Sequence, residues 1–211
     1  MTKPHDKTDW EERYTSAGDD YLFGKDPNEF LAAKKEMFSP GQTAICIADG
    51  EGRNSVWLAQ KGLHVHAVEY AHSALAKARR LANESGVIVE YQHANILDDQ
   101  WPGSNHSQYD WVIAVFIQFA KEKQQEKQFS DLKRLCKPGG NILLVGYTPL
   151  QLQYGTGGPS AIENLYTSTL LKTAFHDFDI TLLEEYEKNL TEGSRHQGMS
   201  ALIGMIATRR L

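Results

Sequence analysis

Cysteine, positive charge and long apolar runs are all scarce in this sequence of 211 residues. Only two cysteines occur, Cys46 and Cys136, and both lie in apolar patterns outside any C-x-x-C motif, which indicates two buried thiols rather than a disulfide or a metal pair. The net charge of −5 argues against a nucleic-acid partner. The longest apolar run, residues 111–117, is far too short to span a bilayer, so we expect no membrane partner.

The first residues, MTKPHDKTDWEERY, are polar and of mixed charge, which is not the pattern of a secretory signal. The composition, with 41% hydrophobic and 23% charged residues, is typical of a globular protein, and the length suits one domain with a full core. We therefore expect a cytoplasmic protein that is a monomer or a weak homodimer. His64 and His66 have no third ligand at a recognisable spacing, so we expect no bound metal.

The middle of the chain alternates between short apolar strands and helices. Several strands are apolar on both faces, which indicates a parallel sheet covered by helices on each side. The sequence therefore predicts an α/β fold of three layers, αβα, with a doubly wound sheet. The predicted strands are residues 43–48, 63–69, 87–91, 109–117 and 141–147, and the predicted helices are residues 9–17, 26–38, 54–61, 73–85 and 123–136.

The alternation ends with the fifth predicted strand. A glycine-rich loop around residues 154–159 precedes a predicted helix at residues 167–175. Two long strand-like segments follow, residues 178–190 and 196–208, and the five residues that join them are too few for a crossover. These segments predict a hairpin in which one strand runs antiparallel to the rest of the sheet.

A glycine-rich turn, Asp49-Gly50-Glu51-Gly52, follows the first predicted strand. In an open α/β sheet, ligands bind beyond the carboxyl ends of the parallel strands, close to this turn. The glycines allow the backbone to approach a ligand closely. Glu69 ends the second predicted strand, where an acid can hold both hydroxyls of a ribose. The pattern therefore predicts a site for a nucleoside-containing ligand.

The acids in this turn distinguish between two such ligands. The G-x-G-x-x-G fingerprint of nicotinamide dehydrogenases has Ser55 in place of its third glycine here, and a pyrophosphate would meet Asp49 and Glu51. Like charges ~4 Å apart repel by roughly 4 kcal/mol at an effective dielectric of about 20. S-adenosyl-L-methionine has no phosphate and carries two positive groups. The turn therefore favours a methyltransferase over an NAD(P)-dependent oxidoreductase, and a non-catalytic S-adenosylmethionine-binding module is the other alternative.

Short motifs along nearly the whole chain add a family resemblance. The most specific are the turn GEGRN at residues 50–54 and the KPGG step at residues 137–140. On these motifs the chain resembles the class I S-adenosylmethionine-dependent methyltransferases, and within them the small bacterial group related to the tellurite-resistance methyltransferase. The other segments that carry the resemblance are residues 10–14, 21–24, 27–28, 154–159, 192–193, His196 and Gly198.

The resemblance implies a seven-stranded sheet whose last strand is reversed, in agreement with the predicted hairpin. We expect a single methyltransferase domain over residues 1–211. It would comprise an N-terminal helical cover (residues 1–40), a cofactor-binding core (residues 41–147), and a lid loop with the terminal hairpin (residues 148–211).

The resemblance also implies which residues contact the cofactor. Glu69 would hold the ribose and Tyr70 would lie along the adenine. Asn95 stands where the family usually has an aspartate, and its side-chain oxygen can still accept from the adenine amino group. Aromatic faces near the amino terminus suit a sulfonium cation. The expected contacts are Asp49, Gly50, Glu51, Gly52, Arg53, Asn54, Glu69, Tyr70, Asn95, Ile96 and Phe116, with Trp10, Tyr14 and Phe23 as an aromatic cover.

Three residues are candidates for catalysis: His196, Arg195 and Gln118. If the sixth strand is parallel, its hairpin turn lies over the ligand-binding edge and brings Arg195 and His196 there. A histidine can take a proton from a thiol or bind an anion, whereas Glu192 is expected only to orient the turn. Gln118 follows the fourth strand at the same edge. We expect no extra domain or basic surface that would hold a macromolecule, so the expected acceptor is a small molecule: a thiol, a chalcogen oxyanion, or a small nitrogen or oxygen nucleophile.

Overall fold

The computed structural model describes residues 7–103, 108–120 and 122–211, and its centre is a sheet of seven strands. The strands are β1 (Thr43–Ile47), β2 (His64–Glu69), β3 (Val89–His93), β4 (Tyr109–Val115), β5 (Cys136–Tyr147), β6 (Phe178–Glu192) and β7 (His196–Arg209). Their order across the sheet is β3-β2-β1-β4-β5-β7-β6.

The direction of the strands agrees with the predicted hairpin. Strands β1 to β5 pair with one another in parallel, whereas β7 is antiparallel to both of its neighbours, β5 and β6. Strand β6 therefore runs in the same direction as the parallel strands, and the turn between Glu192 and His196 lies at their carboxyl edge. The predicted fold class, a doubly wound seven-stranded sheet with the last strand antiparallel, is confirmed.

Helices cover both faces of the sheet, which explains why the central strands are apolar on both sides. One face packs against Phe129 and Phe175, and the other against Leu58 and Phe38. The helices are α1 (Lys7–Ser16), α2 (Glu29–Ala32), α3 (Arg53–Gln60), α4 (His72–Glu84), α5 (Glu122–Leu135), α6 (Gln151–Tyr154) and α7 (Ser168–Ala174), with 3-10 turns at Lys35–Met37 and Ile162–Asn164.

The scarce features of the sequence have defined places in this fold. Cys46 and Cys136 are both buried and unpaired, as expected. Burial raises the pKa of the Cys46 thiol well above its usual value and that of Cys136 to about 12, so both thiols stay protonated. Among the helices of the described residues, none is long and apolar enough to cross a bilayer.

The helix predicted at residues 26–38 is wrong. The structure has instead the short helix α2, followed by the 3-10 turn Lys35–Met37. The Asn28 side chain accepts a hydrogen bond from the Leu31 amide at 3.3 Å, so this residue caps α2 and Pro27 lies outside the helix.

Strand β5 begins five residues earlier than the predicted start at residue 141. Tyr109 pairs with Cys136, and the next pair in this ladder joins Trp111 to Asn141. The Lys-Pro-Gly-Gly segment between them bulges out of the ladder, because one residue of β4 faces four residues of β5.

Candidate active site

A cleft opens at the carboxyl edge of the sheet, beside the ends of β1, β2 and β4. It encloses about 1130 Å³, part of it open to solvent. Helix α1, the turn after β1, the segment after β3 and the terminal hairpin all contribute to its walls. Of the residues expected to contact the cofactor, those that line the cleft are Trp10, Tyr14, Phe23, Asp49, Gly50, Arg53, Asn54, Glu69, Tyr70, Asn95, Ile96 and Phe116.

Two residues of the turn, Glu51 and Gly52, stand behind the cleft instead of lining it. The buried Glu51 carboxylate forms an ion pair with Lys77 Nζ at 3.0 Å, which directs its charge toward α4. Gly52 caps α3 with a φ of 92°, and a Cβ atom on it would lie 2.8 Å from the Ala78 Cβ atom. Both residues support the turn from behind. Neither lines the cleft in which we expect the cofactor to bind.

Asp49 is a carboxylate with no ion-pair partner among the described residues. Its Oδ2 atom accepts a hydrogen bond from Ser55 Oγ at 2.5 Å, while Oδ1 is buried and has no hydrogen-bond partner within the described residues. Burial raises the pKa of Asp49 to about 6, with a further contribution from the nearby Glu69. A positive group bound in the cleft would supply the missing partner, so this residue fits the cationic S-adenosylmethionine better than a phosphate.

Glu69 holds the turn against the end of β2. Its carboxylate accepts hydrogen bonds from the backbone amides of Gly50 at 2.9 Å, Tyr70 at 2.7 Å and Ala71 at 2.8 Å. Burial raises its pKa, and these three amides act in the opposite direction. A carboxylate has about four acceptor positions, so capacity remains for a ribose hydroxyl.

The far end of the cleft carries the residues expected to meet the adenine. Tyr70 is exposed there, with its ring centroid 5.8 Å from that of His93. Asn95 Oδ1 accepts a hydrogen bond from the Leu97 amide at 3.1 Å, and its Nδ2 donates to Asp98. The Asn95 oxygen therefore already shapes the local loop, and one lone pair is left for a ligand.

An aromatic cover closes the near end of the cleft. The ring centroids of Trp10, Tyr14 and Phe23 lie 5.8 to 6.3 Å apart, and Tyr14 is buried. The Tyr14 side chain reaches the turn, since a Cβ atom on Gly50 would lie 2.9 Å from its hydroxyl. Tyr14 thus contacts the turn, while the expected role of the aromatic residues as a cover for the cofactor stays a prediction.

A second cavity of about 830 Å³, also partly open, adjoins the first. Phe116 lies between them and has a φ of 56°, a left-handed conformation that is rare for a bulky residue and is typical of functional sites. The second cavity is also lined by Arg13, Gln118, Tyr147 and Arg195. The residues that line both cavities are Trp10, Phe23, Phe116, Phe119 and His196.

His196 lies at this shared wall, as the topology predicts. Its ring centroid is 4.5 Å from those of Phe23 and Phe116 and 6.0 Å from that of Tyr147. Burial lowers the pKa of His196, the neighbouring Glu192 raises it, and Arg53 lowers it, with a net decrease. The imidazole is therefore neutral near pH 7 and able to accept a proton.

Gln118 and Arg195 line only the second cavity. Gln118 Nε2 donates to the carbonyls of Tyr147 and Asn164, both at 2.9 Å, and its Oε1 accepts from the Tyr147 amide at 2.6 Å. These bonds favour a structural role for Gln118, because they connect the end of β5 at Tyr147 to the 3-10 turn that contains Asn164. Arg195 is exposed at the rim, and its backbone amide donates to the Leu22 carbonyl at 3.2 Å.

A buried ion pair joins the turn to the hairpin, and no sequence pattern predicts it. Arg53 Nη2 lies 2.8 Å from Glu192 Oε2, and both side chains are less than 10% exposed. Asn28 Nδ2 donates to Glu192 Oε1 at 2.9 Å. Arg53 lines the cleft, where we expect it to contact the cofactor. Its guanidinium also donates a hydrogen bond to the Phe23 carbonyl at 3.2 Å. Distant partners in the chain leave no local pattern that would reveal such a contact.

Comparison with known proteins agrees with this geometry. Residues 44–140 match the family model described as a methyltransferase domain. Phosphoethanolamine N-methyltransferase 2 of Caenorhabditis elegans is 32% identical over 127 residues, which are 59% of this chain and 28% of that protein. The chain thus spans less than half the length of the first curated relatives that it matches.

Solved structures show the same fold at low identity. TehB from Haemophilus influenzae superposes with a TM-score of 0.71 at 14% identity, over 95% of this chain and 67% of that one. NodS, an N-methyltransferase from Bradyrhizobium japonicum WM9 in complex with S-adenosyl-L-homocysteine, gives 0.70 at 10% identity, over 96% and 98%.

The domain match agrees with the predicted enzyme class and with S-adenosyl-L-methionine as its predicted cofactor. It covers β1 to the start of β5, which includes the turn and Glu69. Residues 44–140 are therefore similar to the methyltransferase domain family, and the chain has the same fold as the solved methyltransferase structures.

Proposed function

We propose that this chain is an S-adenosylmethionine-dependent methyltransferase that acts on a small-molecule acceptor. The observation that carries the proposal is the pair of adjoining cavities, one beside the acidic turn and one beside His196, which share an aromatic wall. S-adenosyl-L-methionine supplies an already activated methyl group, so the protein has mainly to orient the acceptor and exclude water.

The residues that would hold the cofactor are those of the first cavity. The partly buried carboxylate of Asp49 suits a positive group, and the buried carboxylate of Glu69 suits a ribose. Trp10, Tyr14 and Phe23 would cover it from the side of α1 and exclude water.

The second cavity supports an acceptor that is neutral or negatively charged. Arg13, Arg195 and His196 line it, and none of the described residues that line it is an acid. The neutral imidazole of His196 would accept the proton from the nucleophilic atom of the acceptor. A thiol or a chalcogen oxyanion fits these surroundings, and a cationic amine is disfavoured by the two arginines.

We further propose that residues 1–211 act as one domain, with the cover, core and lid-and-hairpin parts described above. The aromatic cover and the hairpin both border the cleft, which supports a joint role. Two buried, unpaired thiols are consistent with a reducing cytoplasm. A monomer or a weak homodimer is the proposed state.

Titration calorimetry with S-adenosyl-L-methionine, S-adenosyl-L-homocysteine and NADH tests the cofactor. We expect both adenosyl compounds to bind and NADH not to bind. Binding of NADH alone would refute the proposal. A panel of small thiols and chalcogen oxyanions then tests turnover, measured as release of S-adenosylhomocysteine. Tight cofactor binding with no release across acceptors that occupy the second cavity would indicate a non-catalytic binding module.

A further inference from the structure

The hairpin contains a buried carboxylate directly beside the imidazole of His196. We propose that Glu192 is a positioning residue that keeps His196 in the tautomer with the proton on Nδ1, so that Nε2 is free to act in the acceptor cavity, and that Arg53 fixes Glu192 in place. The inference deepens the proposed function and rests on it.

Four groups surround the two oxygen atoms of Glu192. Oε1 accepts hydrogen bonds from Asn28 Nδ2 at 2.9 Å and from the Glu29 amide at 3.3 Å. Oε2 lies 2.8 Å from Arg53 Nη2 and 3.5 Å from His196 Nδ1. Glu192 is 6% exposed, so its charge is compensated almost entirely by these neighbours.

The Nδ1 atom of His196 faces the carboxylate of Glu192. His196 Nδ1 is buried, and it has no hydrogen-bond partner among the described residues. Glu192 Oε2 lies 3.5 Å from this atom, which is longer than an ordinary hydrogen bond but within the range of an ion pair once the ring is protonated. Glu192 is therefore the group available to fix the ring.

Backbone contacts with the segment around Leu22 restrain the hairpin turn, which keeps Glu192 next to His196. The amides of Ser194 and Arg195 both donate to the Leu22 carbonyl, at 2.9 and 3.2 Å. Gly193 lies so close to the same segment that a Cβ atom on it would be 2.3 Å from the Leu22 carbonyl oxygen.

Arg53 connects this arrangement to the cofactor turn. Its Nη1 donates a hydrogen bond to the Phe23 carbonyl, and its Nη2 forms an ion pair with Glu192. One guanidinium therefore contacts both the N-terminal cover and the hairpin. The neighbouring Asn54 Oδ1 accepts from the Asn28 amide at 2.9 Å, which orients the second partner of Glu192. The residues after the turn thus help to position the base.

The proposed proton transfer requires His196 to be in one defined tautomer. With Nδ1–H directed at Glu192, the Nε2 lone pair can take the proton that the acceptor loses, and the resulting imidazolium keeps its Nδ1–H toward the carboxylate. The charged groups that face His196 are Glu192 from β6 and Arg53 from α3, and Arg13 and Arg195 line the same cavity. The carboxylate is the only acid among these four.

Nitrogen-15 NMR of the imidazole rings tests the proposal without cofactor or acceptor. The sequence has eight histidines, and loss of one signal set in His196→Gln assigns His196. In the native protein we expect the Nδ1–H tautomer above the pKa of His196. In Glu192→Gln we expect a lower pKa, by about half a unit or more, and a mixture of tautomers. Glu184→Gln, at an exposed site on the same strand, should change neither.

Two results would overturn the proposal: an Nε2–H tautomer in the native protein, or an unchanged pKa and tautomer in a folded Glu192→Gln variant. If that variant does not fold, Arg53→Lys serves instead. It keeps the charge but loses the fork that reaches both Glu192 and Phe23, and we expect a partial loss of the tautomer preference.

Activity separates this inference from the proposed function. In the proposed enzyme, Glu192→Gln lowers kcat and moves the acid limb of the pH–rate profile to lower pH, because the pKa of the base falls. A merely structural Glu192 would lower kcat without moving that limb. If the NMR results are as expected but no acceptor is methylated, the proposed function fails and the arrangement of Glu192 and His196 stands.

Discussion

Asp49 is an acid whose burial opposes its charge. Its pKa of about 6 lies above the value near 4 of an unfolded aspartate, so the folded state binds the extra proton. This contribution to stability is full below pH 4 and is lost as the pH rises from about 4 to 6. At neutral pH the charged carboxylate therefore lowers the free energy of unfolding, and a cationic ligand relieves that cost.

Asp49→Asn should consequently stabilise the protein and weaken cofactor binding. We expect the free energy of unfolding at pH 7.5 to rise by about 1–3 kcal/mol, and the difference from the native protein to shrink toward pH 4. The affinity for S-adenosyl-L-methionine should fall about tenfold or more, since a charge pair is lost. Urea unfolding across this pH range and calorimetry measure the two effects. Unchanged affinity would show that no positive group of the cofactor lies near Asp49.

His196 should affect turnover far more than binding. We expect His196→Ala to keep the affinity for S-adenosyl-L-homocysteine within about threefold and to lower kcat by about 10²–10⁴-fold, which is the usual contribution of a general base. His176→Ala, which removes an exposed histidine beyond α7, is the matched control. A collapse of cofactor binding in His196→Ala alone would contradict the assignment of His196 to the acceptor side of the shared wall.

At the scale of elements, the tip of the β6–β7 hairpin depends on a close backbone contact. Gly193 and Gly155 have nearly the same backbone conformation, with φ of 64° and 63°. A Cβ atom on Gly193 would clash with the backbone of Leu22 and Gly24, whereas a Cβ atom on Gly155 would meet nothing within 4 Å. The two positions therefore separate the cost of the conformation from the cost of the contact.

Gly155→Ala should lower the free energy of unfolding by about 1 kcal/mol, from the left-handed conformation alone. Gly193→Ala should lower it by about 3 kcal/mol or more, because the hairpin must also move away from residues 22–24. Urea denaturation of both variants gives the difference. Equal losses would mean that the hairpin tip is not held against the N-terminal segment.

The strands were easier to predict than the features that hold them together. Strands β6 and β7 start where the sequence pattern places them, because long alternating segments leave little choice of period. The helix predicted at residues 26–38 begins later than the acidic start at Asp26 suggests, because the Asn28 side chain caps it. Local pattern fixes the period of an element, whereas a competing side-chain bond decides where the element begins.

Some features of the candidate site could likewise be predicted from the sequence, and others could not. The turn, Glu69 and the position of His196 follow from the direction of the strands, which the sequence predicts. The contacts of Arg53 with Glu192 and of Lys77 with Glu51 join segments that are distant in the chain, and no spacing rule connects them. The burial of these charges appears only when the whole sheet is assembled.

At the scale of the whole molecule, the cleft is closed by parts from both ends of the chain. Trp10 and Tyr14 come from α1, Asp49 and Gly50 from the core, and His196 from the last strand. A ligand that fills the cleft touches all three parts, so its binding free energy opposes local opening of each of them.

Hydrogen–deuterium exchange with and without S-adenosyl-L-homocysteine measures this coupling. We expect slower exchange in three separate stretches at once: α1, residues 49–55 and residues 191–198. Helix α5 packs on the sheet away from the lining of the cleft and serves as the internal control. Protection confined to residues 49–55 would mean that the cover and the hairpin do not close on the cofactor. In that case the shared aromatic wall would not bring cofactor and acceptor together.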